Sequence, residues 1–108
     1  MAKYEKKVSG NFRSILNKIE DEIINGSVSA SLEDSSDFVN GDARCSVRVF
    51  ERYSYTGNNR VSLSVTLFQN ADGPIHVSAI TSGGSTALFF KMNTFGEEAF
   101  LDKLKEIL

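Results

Sequence analysis

At 108 residues, with 41% hydrophobic and 24% charged side chains, the chain has the size and composition of one soluble globular domain, residues 1–108. A formal net charge of −2 argues against a polyanionic or polycationic partner, so nucleic acid is not expected. A single cysteine, Cys45, excludes an intrachain disulfide framework, and with His76 as the only histidine a Cys/His zinc cluster is excluded too.

The N-terminal MAKYEKKVSG lacks the apolar run of a signal peptide, and no stretch approaches the roughly 20 apolar residues that span a membrane. The expected address is the cytoplasm, with no membrane contact and no cofactor. Lys3 to Val8 alternates Tyr4, Lys6 and Val8 with Glu5 and Lys7, the pattern of a short charged edge strand. The period then changes. Phe12, Ile15, Leu16, Ile19 and Ile23 form one apolar stripe, which predicts an amphipathic helix over Asn11–Asn25, capped by Ser9 or Asn11 and closed by Gly26.

From Ser27 the period is two: Val28, Ala30 and Leu32 alternate with serines. Glu33–Asp37 reads as a turn or loop, and Asn40-Gly41-Asp42 as a second break. Beyond it, Cys45, Val47, Val49 and Tyr53 share one strand face, read as inward. Arg44, Ser46, Arg48, Phe50 and Arg52 share the other, read as outward. Thr56-Gly57-Asn58-Asn59 is a turn, after which Val61, Leu63, Val65 and Leu67 alternate with Ser62, Ser64, Thr66 and Phe68. Asn70–Pro74 is another turn, and Ile75, Val77 and Ala79 resume the alternation. Gly83-Gly84 suits a two-residue hairpin returning along Thr86–Met92. Thr94-Phe95-Gly96-Glu97 fits a capping box, and Phe100, Leu101, Leu104 and Leu108 make the stripe of a C-terminal helix.

The expected fold is α+β: an antiparallel sheet of five to six strands, mostly a meander, with an N-terminal and a C-terminal helix on one face. This strand-helix-strands-helix order resembles a reduced helix-grip fold of the Bet v 1/START-like class, which implies an apolar ligand held between sheet and C-terminal helix. The phrases Asn25-Gly26-Ser27, Ser29–Glu33, Glu51-Arg52-Tyr53-Ser54, Ser78–Ser85 and Gly96–Leu101 resemble a family of short uncharacterised bacterial proteins from Firmicutes, which implies relatives but no activity.

Four constellations carry possible chemistry. The turn Ser82-Gly83-Gly84-Ser85-Thr86 offers hydroxyls and backbone to a small polar group. It lacks the lysine of a phosphate loop, so a hairpin is the preferred reading. Cys45 and His76 are a nucleophile–base pair only if they meet; an inward Cys45 and an outward His76 do not. Arg44, Arg48 and Arg52, with Phe50 between and Arg60 on the next strand, make a basic stripe suited to a carboxylate or phosphate. The weightier alternative is a solvated face whose arginines pair with Glu33, Asp34, Asp37 or Glu51. Phe50, Phe68 and Ile80 on the outward face suggest self-association.

The leading functional expectation is a non-enzymatic binding module for a small apolar or amphipathic ligand, with Ser82–Thr86 and Phe90 as candidate contacts and Val47, Val65, Phe90 and Phe100 lining the cavity. The alternative is a homo-oligomeric interaction protein that uses Arg44, Arg48, Phe50, Arg52 and Phe68. An enzyme relying on Ser85, Thr86, His76 or Cys45 comes last.

Overall fold

The computed structural model describes residues 2–26, 29–54, 59–83, 101–102 and 104–108. The chain runs β1 (Ala2–Val8), α1 (Phe12–Asn25), β2 (Ser31–Asn40), β3 (Ala43–Ser54), β4 (Asn59–Asn70) and β5 (Ile75–Ser82). A C-terminal helix, α2, takes residues 101–102 and 104–107. The five strands form one antiparallel sheet in the order β1-β5-β4-β3-β2. Four of them are a meander, and β1 closes the far edge by pairing with β5, from Ala2 opposite Thr81 to Val8 opposite Ile75. The fold class is the α+β arrangement the alternation predicts.

Helix α1 forms where the apolar stripe begins. Asn11 is its N-cap: its side-chain oxygen accepts from the Ser14 amide at 2.9 Å, satisfying one of the orphan donors of the first turn. Phe12, Leu16, Ile19 and Ile23 are buried against the sheet. Gly26 ends the helix with its N–H on the Glu22 carbonyl, but at φ −85, so no left-handed residue is needed there. Helix α2 adds Leu101, Leu104 and Ile107 to the same core. Lys6 of β1 donates to the terminal Leu108 carbonyl at 3.0 Å, and Lys105 lies 5.2 Å from the Tyr4 ring centroid. Both contacts fix α2 beside β1.

The sheet meets these helices through Val61, Leu63, Val65 and Leu67 of β4 and Ile75, Val77 and Ala79 of β5, all buried. Strand β3 corrects the sequence reading. Its register places Arg52 opposite Val61, Phe50 opposite Leu63, Arg48 opposite Val65 and Ser46 opposite Leu67. Cross-strand partners share a face, so Arg44, Ser46, Arg48, Phe50 and Arg52 point toward the helices. Cys45, Val47, Val49 and Tyr53 point away. Phe50 is fully buried, whereas Tyr53 is exposed.

A second correction concerns Glu33–Asp37. It is not a loop but the middle of β2, with a register shift between Leu32 and Asp34 that makes Glu33 a bulge. Its polarity is that of an edge strand, whose side chains reach water. The β2–β3 hairpin turns on Gly41 and Asp42 between the paired Asn40 and Ala43, and Gly41 has φ +60, as the first central residue of such a turn requires. Val28, the Thr56-Gly57-Asn58 turn, the Gly84 half of the glycine turn, the Thr86–Met92 strand and the Thr94–Glu97 capping box lie outside the described residues.

Candidate functional site

The polar centre on the helix side is Arg48. Its guanidinium is 5% exposed and bridges three elements. Nε donates to Glu20 of α1 at 2.6 Å, and Nη1 donates to Asp37 of β2 at 3.1 Å and to the Val47 carbonyl at 3.0 Å. Ser46 donates to the same Asp37 oxygen at 2.6 Å. The Ser46 hydroxyl and the Arg48 charge hold the Asp37 carboxyl below its ordinary pKa. Burial works against the Arg48 charge, but its bonds to Glu20 and Asp37 raise its pKa overall. Nearby, Arg44 lies 5.1 Å from the Phe12 ring centroid, and burial lowers the pKa of the half-buried Arg52. Every donor direction of Arg48 that these bonds use is met by protein, so this centre clips β2 and β3 to α1.

The opposite face of the sheet is open among the described residues. It is organised in rows across the strands, fixed by the pairing. One row reads Phe38, Cys45, Phe68, His76, Lys7. The next reads Ser36, Val47, Thr66, Ser78, Glu5. The third reads Asp34, Val49, Ser64, Ile80, Lys3. Phe68 is 41% exposed, Ile80 42% and Phe38 63%, while Val47 and Val49 are half-buried. Phe68 and His76 are neighbours, with ring centroids 6.2 Å apart. Together with Lys7, Thr66 and Ser78 they line a depression of about 420 Å³. A second depression, of about 400 Å³, sits at the hairpin ends around Gly41, Asp42, Arg44 and Asp72. No described lining residue of either belongs to a helix.

The structure divides the proposed interaction face. Phe68 is on the open side, as is Ile80, whereas Arg44, Arg48, Phe50 and Arg52 are on the helix side. Two of the anticipated ion pairs form, Arg48–Asp37 and Arg60–Glu51 at 3.0 Å, although Arg48 is buried rather than solvated. Val47 and Val65 stand on opposite faces and do not line one cavity; Phe90 and Phe100 lie outside the described residues. Of the glycine-turn residues, Ser82 ends β5 and Gly83 follows it, while Ser85 and Thr86 lie outside the described residues. Cys45 and His76 do share a face, but Phe68 stands between them in the row. Two strand spacings, about 10 Å, separate their backbones, too far for a direct proton transfer.

Among the described residues no group of three or more His, Cys, Asp or Glu side chains is placed to hold a metal ion. No described helix is long and apolar enough to cross a membrane.

The chain belongs to a family of unknown function, DUF6054, whose match covers residues 1–108. Comparison with curated proteins and with solved structures gave no match.

Proposed function

We propose that this protein is a non-enzymatic interaction module that works through the open face of its sheet. The observation that carries this reading is the distribution of side chains across the two faces. The helices cover one face, and the other presents Phe38, Val47, Val49, Phe68 and Ile80 among serines and threonines. An apolar patch rimmed by polar residues is the usual mark of a protein contact. The patch sits on strands rather than loops, so its geometry is fixed in advance and little ordering entropy is lost on contact.

A second reading, the small amphipathic ligand, draws support from the depression beside Phe68 and His76. That site is on the open face, not between sheet and C-terminal helix. The likeness to a reduced helix-grip fold rests on element order and on the shared side of α1 and α2. Bacterial origin and a cytoplasmic setting accord with the resemblance to Firmicutes proteins and with the free thiol of Cys45.

The test is a photo-cross-linking amino acid placed at Phe68 in the producing cell, with Asn17 on the exposed side of α1 as control. The expected result is a discrete protein adduct from Phe68 and none from Asn17. Adducts from Asn17 alone, or from neither position, would remove the interaction reading. A small-molecule adduct at Phe68 would select the ligand instead.

A further inference from the structure

We infer that the occupant of the open face is a second copy of this chain, packed face to face about a twofold axis parallel to β4; this rests on the interaction reading above. Charged and apolar groups are arranged across the rows so that a second copy complements the first. A twofold axis lying in the interface and running along the strands keeps each row opposite itself and reverses the strand order. It sets β1 of one copy over β2 of the other, and β5 over β3. In the row of Asp34, Val49, Ser64, Ile80 and Lys3, that operation places Lys3 over Asp34 of the second copy and Ile80 over its Val49. In the first row it places Lys7 over Phe38, a cation on an aromatic face, and Phe68 over its own symmetry mate. Each opposition of unlike residues occurs twice, as a twofold interface demands, and Phe68 meets its mate once on the axis.

The other in-plane twofold axis, perpendicular to the strands, lays β1 over β1. It stacks Glu5 on Glu5 and Lys3 on Lys7, and like charges directly opposed disfavour it. The strand-parallel axis leaves Arg60 near its own copy at the rim, where Glu51 at 3.0 Å already neutralises each one. Aligned sheets pack about 10 Å apart and about 30° from parallel, within the reach of a lysine side chain. Five strands over about four rows offer roughly 600 Å² per copy, so a pair buries roughly 1,200 Å², the lower end of stable interfaces. Lys3 and Asp34 are both exposed in the single chain; Lys3 lies 3.8 Å from Glu5 in a solvent-exposed pair, and Asp34 accepts the Ser35 amide with one oxygen, contacts weak enough to leave both charges open to a partner.

The experiment is sedimentation equilibrium of the full chain over a concentration series, with Lys3→Glu, Asp34→Lys and an equimolar mixture of the two. Both positions are exposed, so folding, followed by circular dichroism, stays intact. Wild type is expected to dimerise. Each single variant is expected to dissociate about tenfold more readily, because the symmetry counts each reversal twice. The mixture is expected to recover wild-type affinity, because the heterodimer again opposes acid to base at both sites. A wild-type dimer indifferent to both reversals overturns this geometry. A wild type that stays monomeric at every concentration overturns self-association altogether. The cross-link from Phe68 separates that failure from failure of the interaction reading: an adduct to a different protein keeps the open face as the site and removes only the second copy.

Discussion

Replacing Arg48 by methionine is expected to cost little stability, whereas removing its two acids is expected to cost much. The asymmetry follows from where each charge sits. The guanidinium is 5% exposed, but Glu20 is 26% exposed and Asp37 50%. In Arg48→Met the two carboxylates are released toward water that they already touch, and the methionine stem keeps much of the packing of the arginine stem. Buried ion pairs exchanged for apolar groups of similar volume are often neutral, so the change should lie within about 1 kcal/mol. In Glu20→Ala with Asp37→Ala the cation stays inside with backbone carbonyls for company, and Ser46, also buried, loses its acceptor. An uncompensated buried charge costs about 3–5 kcal/mol. Urea unfolding at neutral pH measures both, with the m-value checking that the unfolding transition is unchanged in kind. Each kcal/mol corresponds to about 4–8 °C in melting temperature for a chain near this size. If Arg48→Met loses as much as the double variant, the ion pair is itself strongly stabilising and the desolvation argument is wrong.

The same cluster sets an acid dependence. Asp37 has its folded pKa below the ordinary 3.8, so its contribution is present above that ordinary value and is lost as pH falls through the lower folded value. Urea midpoints between about pH 5 and pH 2 should therefore fall more steeply for wild type than for Asp37→Asn; parallel profiles would remove Asp37 from the account. Phe50→Ala should cost about 3–5 kcal/mol as a core truncation, while Phe68→Ala should stay within about 1 kcal/mol in the monomer; the reverse order in thermal melts would invert the assignment of β3 and β4 faces. Gly41→Ala meets no atom within 4 Å of the new Cβ, yet φ is +60 there. Its cost is thus purely conformational, about 1 kcal/mol by chemical denaturation, and an unchanged midpoint would show that the turn relaxes freely.

Much of this fold is legible in the sequence. The α1 stripe, the Asn11 cap and the β4 and β5 alternations each follow from one period and one local signal, and the structure has them where the pattern puts them. Strand β3 is different because both of its faces are mixed. Cys45, Val47 and Val49 outweigh a single Phe50 on any hydrophobicity scale, so composition points the wrong way. The deciding information is register. A turn with an even number of residues between β3 and β4 pairs the even-numbered positions of β3 with odd-numbered, apolar positions of β4. Four residues separate the paired Ser54 and Asn59, and that even spacing already implies that Arg52 and Phe50 face the core. Glu20 gave no signal at all. It lies at the border of the helix stripe, and its meaning depends on Arg48 arriving from a strand 28 residues away.

The inversion on β3 also bears on function. Sliding β3 by one residue would put Val47 and Val49 against α1 and release Arg48 to water. For these three side chains alone, with water on the open face, that exchange is favourable, since buried ion pairs add little and buried valines add about 1.5–3 kcal/mol each. Two things oppose it. The short turn at Gly41 and the long pairing with β4 from Ala43 to Ser54 hold the register, and the slip would expel Phe50, fully buried now. What the observed register leaves outside is a face of half-buried valines and exposed Phe38, Phe68 and Ile80. The contact proposed above would bury these side chains as well. Arg48 then serves to pin α1 over the far strands, and the valines serve the contact on the other side. With the proposed contact in place, the polar interior and the apolar exterior of β3 would be two consequences of one assignment, a strand with a partner on each face.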